Sequence, residues 1–280
     1  MPSVLITGAG RGIGRGVALR MASRGWEVHA GVRRSGDGES LAAEAAGGTI
    51  APVTLDVTDQ DAIAALDGAL PARLDAVVNN AGLVVDGPIE GLSLKALRDQ
   101  FDVNVIGQVA VTQAVLPRLR ESRGRVVFMS SVSGRLATPW TGAYNASKFA
   151  IEGLADSMRM ELRPWGIKVI LVEPTSTDTD MWRDALHQLD RTEASLSPSH
   201  RMLYAKHLAG MRRTTKVIQK QAVPPERVVD VVERALTATR PRARYPVGVL
   251  SKIQLAAGAL TPTRVMDVSL ARLTGVPRKA

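Results

Sequence analysis

Tyr144 and Lys148 lie four residues apart, a spacing that puts both side chains on one face of a helix. A phenol with an ordinary pKa near ~10 is a weak acid–base group at neutral pH. A neighbouring ammonium favours the phenolate and draws that pKa down. The pair therefore reads as a device for taking a proton from an alcohol or returning one to a carbonyl oxygen. Ser131 ends an apolar run and can hold a substrate oxygen beside the phenol. Asn104 falls inside a long helical pattern, where asparagine is a poor helix former. Taken singly, each has an ordinary reading: a half-buried tyrosine, a solvated lysine, a strand-end serine, a helix kink.

A second constellation lies at the other end of the chain. Thr7-Gly8-Ala9-Gly10-Arg11-Gly12-Ile13-Gly14 stands between a β-branched run and a helical pattern. Gly8, Gly12 and Gly14 let the backbone turn tightly and approach a pyrophosphate, and the free N–H groups at the helix start face that anion. No Gly-Lys-Ser/Thr follows, which excludes a P-loop. An acidic residue at the end of the second strand would bind the ribose 2′-hydroxyl of NAD and repel a 2′-phosphate. Here that place holds Val32-Arg33-Arg34, and Arg11 lies within the turn, so NADP is the better match and NAD the weaker one. Asp56 and Val57, ending the third strand, are placed to meet the adenine.

The elements that must position these groups alternate. Strands are expected over residues 4–7, 26–32, 51–56, 76–79, 125–130 and 168–173, as near-continuous apolar runs buried on both faces. Helices are expected over 13–24 with Gly25 closing it, over 59–70 with Thr58 as cap, over 94–101 with Ser93 as cap, over 103–120 with a kink or end at Pro117, and over 143–163. Residues 226–238 form a further helix led by Pro225, and 244–249 a short last strand. Such repetition predicts an α/β fold: one Rossmann-type, doubly wound parallel sheet with helices on both faces.

The ordered set Thr7-Gly-x-x-x-Gly12-Ile-Gly14, Asn79-Asn80-Ala81-Gly82, Ser131 and Tyr144-x-x-x-Lys148 resembles the short-chain dehydrogenase/reductase family over roughly residues 3–180. The resemblance implies a nicotinamide-dependent oxidoreductase acting on CH–OH groups, with Asn104, Ser131, Tyr144 and Lys148 catalytic. Asn104 would hold a water that links Lys148 to solvent. It implies cofactor contacts from Gly8, Arg11, Gly12, Ile13, Gly14, Arg33, Asp56, Val57, Asn80, Ala81, Gly82, Tyr144, Lys148, Pro174, Thr175 and Thr179. Thr175 stands where the family usually has glycine, and a positive φ there would strain a β-branched residue. Residues 181–222 would lid the substrate. Met181, Trp182, Leu186, Leu189, Met202, Leu203, Leu208 and Met211 either line that pocket or form the lid's own core, facing Ala137, Pro139 and Trp140. The pattern is nearest to members acting on apolar alcohols and ketones (steroid-, retinoid- or lipid-like). Dimer or tetramer contacts are expected at the helices beginning near residues 103 and 143. The other reading is a non-enzymatic NAD(P)-sensing regulator on the same fold.

Composition limits the alternatives. The 280 residues include no cysteine, so thiol catalysis, disulfides and zinc–thiolate sites are excluded. His187, His200 and His207 lack the short spacing of metal ligands, and no metal is expected. The chain reads as soluble and cytoplasmic, its opening residues leading into a strand rather than a leader. The net charge of +9 is uneven: residues 1–181 hold 18 basic and 20 acidic groups, residues 182–280 hold 18 and 7. No nucleic-acid partner is expected. The basic tail, residues 250–280, reads as an amphipathic helix interrupted at Gly258 and Pro262 and suggests weak contact with an anionic membrane surface.

Overall fold

The apolar runs expected as strands do form strands, and they lie side by side. A computed structural model describes residues 1–277. Strands β1 (Ser3–Thr7), β2 (Glu27–Val32), β3 (Thr49–Thr54), β4 (Ala76–Asn79), β5 (Arg125–Met129), β6 (Lys168–Glu173) and β7 (Arg244–Pro246) form one parallel sheet in the order β3-β2-β1-β4-β5-β6-β7. The order reverses between β1 and β4. Connections leave to opposite sides there, which opens a crevice beyond the strand ends.

Fourteen helices are described: α1 (Gly12–Ser23), α2 (Ser35–Ala43), α3 (Gln60–Ala64), α4 (Leu66–Ala69), α5 (Leu94–Phe101), α6 (Gly107–Ser122), α7 (Gly142–Glu161), α8 (Asp180–Arg183), α9 (Ala185–Ser195), α10 (Pro198–Leu203), α11 (Ala205–Gln219), α12 (Pro225–Thr237), α13 (Gly248–Leu260) and α14 (Thr263–Leu273). Alternate strand residues feed two cores. Val4 and Ile6 pack with Val17 and Met21 of α1 and Val228 and Val232 of α12. Leu5 faces the other way, toward Val111 and Val115 of α6 and Ile151 of α7. The inner strands β1, β4 and β5 are thus buried on both sides because each side meets a helix layer, whereas the edge strand β3 leaves Thr49, Pro52 and Thr54 exposed.

Several boundaries differ from expectation for identifiable reasons. Asp59, not Thr58, caps α3, its side chain accepting from the N–H groups of Asp61 and Ala62. Thr58 instead donates to Asp56. Pro117 neither ends nor opens α6, because it lies on the exposed face where water can serve the freed carbonyl. The irregularity comes earlier, as a π-helical turn over Asp102–Ile106 that contains Asn104. α2 escaped the sequence reading because Gly36 and Gly38 mask it; Gly38 is needed there, since a Cβ would lie 2.6 Å from Pro52. The tail forms two helices. Gly258 continues α13 because it packs on Leu136, and Pro262 opens α14. Both outer strands carry a proline, Pro52 in β3 and Pro246 in β7, and the latter cuts the last strand short of the expected 244–249.

Candidate active site

The glycine turn follows β1 at the crevice. Gly8 and Gly12 adopt φ of +65° and +56°, a region costly for residues with a Cβ. At Gly14 a Cβ would lie 2.4 Å from both the Gly8 carbonyl oxygen and Asn80 Nδ2. Asn80 fastens the turn to the end of β4: its Nδ2 donates to the carbonyls of Thr7 (3.0 Å) and Gly8 (3.2 Å). Thr7 Oγ1 in return accepts from the N–H groups of Asn80 and Ala81. No side chain caps α1 at Arg11, and its first turn holds no acid. The N–H groups of this helix start therefore face outward with a partial positive charge, and the turn fits a dinucleotide pyrophosphate. Ile13 is half-buried, its side chain packed against the core.

At the ribose end the arginines divide. Arg34 is paired with Asp37 through Nε at 3.0 Å and Nη2 at 3.1 Å. Arg11 and Arg33 are exposed and have no carboxylate at ion-pair distance among the described residues. Asp37 went unnoticed in the sequence, yet it lies against the glycine turn, 3.3 Å from where a Gly10 Cβ would sit. Asp56 Oδ1 is occupied by the N–H (2.9 Å) and hydroxyl (2.7 Å) of Thr58, which hold its carboxyl below the usual range, with Arg33 adding to the effect. The Val57 side chain is in the core, and its carbonyl presses on Gly107, where a Cβ would come within 2.4 Å.

Ser131, Tyr144 and Lys148 converge beyond β5. Lys148 Nζ is buried, donates to the Met129 carbonyl at 2.6 Å and stands 5.6 Å from the centre of the Tyr144 ring. Burial pulls its pKa down to about 8, against the pull of Glu152 in the other direction. The Tyr144 phenol departs from the sequence expectation. Burial pushes it up, and the counteracting influence is the Ser131 hydroxyl rather than the lysine, whose ammonium is turned to Met129. Ser131 Oγ donates to the Pro174 carbonyl at 3.3 Å and accepts from Ser133 N–H at 3.1 Å.

Asn104 belongs to a stripe of amides that the sequence displayed at intervals of four without its being read. Gln100, Asn104 and Gln108 are fully buried on one face of the α5–α6 run. Gln100 accepts from Val85 N–H (2.7 Å) and donates to the Leu83 carbonyl. Asn104 Oδ1 accepts from Leu83 N–H (2.9 Å), while its Nδ2 donates to the Leu83 carbonyl and to Ser147 Oγ, one residue from Lys148. Gln108 donates to the Ala81 carbonyl. Together they fix the loop after β4, with Gly82 passing close to Asn104. After β6, Thr175 has a negative φ, so the anticipated strain is absent, and its hydroxyl reaches Gln254 of α13 at 3.4 Å. Thr179 lies beside Gly12, its Cγ2 3.6 Å from the position of a Cβ there.

The expected lid residues separate into two groups. Leu189 and Leu208, with Leu186 and Met211 beside them, pack with Trp140, Leu196 and Tyr204 in a small third core. Met202 and Leu203 point outward, 79% and 64% exposed. The side chain of Met181 lies outside the described residues, as do residues 278–280 of the tail. Trp140 has φ of +75°, rare for a bulky residue, with its carbonyl held by Gly87 N–H at 2.7 Å. A groove of about 440 Å³ runs past it, lined by Ile89, Pro139, Trp140, Ala146 and Phe149. Among the described residues no group of three or more His, Cys, Asp or Glu is placed to hold a metal, and no helix is long and apolar enough to cross a membrane.

A parallel sheet with a glycine cradle at its switch point and a Tyr–Lys pair beyond the next strands defines a nicotinamide-dinucleotide oxidoreductase. Residues 2–190 match the family model described as short chain dehydrogenase, and the chain belongs to that family, whose members oxidise CH–OH groups or reduce carbonyls. Over 270 residues it is 34% identical to the uncharacterized oxidoreductase YbbO of Escherichia coli (strain K12), covering 95% of this chain and 92% of that one. It is 36% identical over 256 residues to 17-beta-hydroxysteroid dehydrogenase type 1 of Homo sapiens, covering 86% and 76%. A short chain dehydrogenase from Burkholderia cenocepacia J2315, solved in complex with NADP, superposes with a TM-score of 0.72 at 25% identity, covering 97% of each chain.

Proposed function

We propose that this oxidoreductase interconverts a secondary alcohol and the corresponding ketone of an apolar molecule (steroid-, retinoid- or lipid-like), with NADP(H) rather than NAD(H) as its dinucleotide. The observation that carries the reading is the Tyr144 phenol flanked by Lys148 and Ser131. In this reading Tyr144 passes the proton to or from the substrate oxygen, Ser131 orients that oxygen, and Lys148 stabilises the phenolate. Asn104 holds the approach to Lys148 through Leu83 and Ser147. Gly8, Arg11, Gly12, Ile13 and Gly14 cradle the pyrophosphate, Asn80, Ala81 and Gly82 border it, and Pro174, Thr175 and Thr179 border the nicotinamide side. The dinucleotide, when bound, supplies the hydride acceptor or donor.

Arg11 and Arg33, without a carboxylate at ion-pair distance among the described residues, favour a 2′-phosphate, and the solved relative with NADP supports the same choice. The steroid dehydrogenase relative supports a lipid-like substrate, held in this reading under a lid of residues 181–222. We take the chain to associate as a dimer or tetramer through α6 and α7, where Phe149, Leu154 and Met160 are exposed. Val249, Ile253, Leu260 and Val265 are exposed on α13 and α14 beside Lys252 and Arg264, a composition suited to weak contact with anionic lipid. A panel of apolar secondary alcohols and ketones, run with NADPH and NADH in parallel, tests the reading. Turnover with NADPH supports it. No change in reduced-nicotinamide absorbance with either dinucleotide overturns it and leaves a cofactor-sensing binding protein.

A further inference from the structure

The loop after β4 has no ladder of its own. Residues 80–86 form neither helix nor strand, so their backbone N–H and C=O groups need partners from elsewhere. The buried amides supply them. Gln108 Nε2 donates to the Ala81 carbonyl at 2.9 Å. Asn104 Oδ1 accepts from Leu83 N–H at 2.9 Å. The Leu83 carbonyl accepts from Asn104 Nδ2 at 3.0 Å and from Gln100 Nε2 at 2.9 Å, and Gln100 Oε1 accepts from Val85 N–H at 2.7 Å. In a regular α-helix eight residues would turn Gln108 ~80° away from Gln100. The wider turn over Asp102–Ile106 lies between them and takes part of that rotation back, which keeps all three amides on one loop.

The far end of the same segment is held by α9 and by the residue between α10 and α11. Asp86 accepts from the Thr192 hydroxyl of α9, and Glu90 Oε1 accepts from the Tyr204 hydroxyl at 2.5 Å. Contact there is close. At Gly87, with φ of +140°, a Cβ would lie 3.2 Å from Thr192 Cγ2, and at Gly91 one would lie 2.7 Å from Leu196 Cδ2. Residues 81–91 therefore run as a strap, laced to Asn104 and its neighbours at one end and clasped by α9 and Tyr204 at the other. Gln100 serves both Leu83 and Val85, at the step between the two ends.

We propose that Gln100 is a positioning residue: it fastens the middle of this strap, so that the placement of α9 is transmitted to Ala81, Gly82 and Asn104 and from there to dinucleotide binding. This rests on the assignment of the glycine-turn crevice to a dinucleotide. The alternative is a local staple, and two readouts on the full chain separate them. Amide exchange followed by NMR reports Leu83, Val85 and Gly87 directly. Gln100→Met keeps the size and removes the amide, so Val85 exchanges faster on either account. The strap also requires ~2–10-fold faster exchange at Gly87, whose own acceptor is the Trp140 carbonyl. Thr192→Val removes the clasp to Asp86 and keeps the side-chain shape. In that variant Leu83 and Val85 must exchange faster, and dinucleotide affinity, titrated by fluorescence with NADPH and NADH, must fall by ~3-fold. Combined with Gln100→Met, the loss of affinity should not exceed the larger single loss. An unchanged Gly87 in Gln100→Met, an unchanged affinity in Thr192→Val, or losses that multiply in the double variant each overturn the proposal. Should Gln100→Met not fold, Thr192→Val decides alone. A wild-type chain that binds neither dinucleotide contradicts the proposed function, and the exchange rates still uphold or overturn the strap.

Discussion

Around the glycine turn an added methyl group meets backbone: the Gly8 carbonyl faces Gly14, and the Val57 carbonyl faces Gly107. Around α9–α11 the packing is of another kind. A core of Trp140, Leu189, Leu196 and Leu208 is supplemented by exposed pairs, Arg191 with Asp184 and Arg212 with Asp190 and Glu193. Pairs of that sort contribute roughly 0–1 kcal/mol each. In the proposed reading, rigid backbone geometry would serve the part of the ligand common to every turnover, and adaptable side-chain packing in the proposed lid would serve the part that differs between substrates.

Tyr144→Phe is expected to lower kcat by ~10²–10⁴-fold. NADPH affinity, read by fluorescence titration, should hold, and undiminished turnover would remove the assigned role. Glu173 tests the seam between sheet and helices. Its folded-state pKa lies above the ordinary carboxyl value, so the folded chain binds the extra proton and loses stability as pH rises from about 4.5 through about 7. Glu173→Gln should abolish that decline, worth ~2–3 kcal/mol, in denaturant unfolding followed across this window. A wild-type profile flat over the same range would mean the carboxyl ionises without cost. In the glycine turn, Gly14→Ala should cost ~1–3 kcal/mol through overpacking, with a lower Tm and weaker dinucleotide binding. Normal values for both would erase the contrast between the regions. Arg33→Ala should weaken NADPH by about tenfold, ~1.4 kcal/mol, and leave NADH nearly unchanged. Equal losses for both would shift the 2′-phosphate to another site. Met202→Ser, on the open side of the lid, should alter stability by no more than ~0.5 kcal/mol. A larger fall would show the lid to be as closely fitted as the turn.

Legibility in the sequence followed the same division. Strand runs, the glycine turn and the Tyr144–Lys148 spacing are local patterns, and a local pattern is what periodicity and motif reading detect. Asn104 was noticed because it is out of place by propensity, but its partners Gln100 and Gln108 were not, since amides at four-residue spacing look like an ordinary solvated face. What reveals them is the loop after β4 arriving from elsewhere in the chain. Asp37 was hidden by the glycines that made α2 unreadable, and its pairing with Arg34 leaves Arg33 without a carboxylate at ion-pair distance among the described residues. Lysine lowering the tyrosine pKa followed from spacing alone. The surroundings that push the phenol up and the orientation of Nζ toward Met129 are three-dimensional features that spacing does not carry.

Pro52 and Pro246 sit in the two outermost strands of the sheet. Each removes an amide donor from a rim that a stray strand from another molecule would need to extend the ladder. Growth of the sheet from chain to chain is thereby discouraged at both rims.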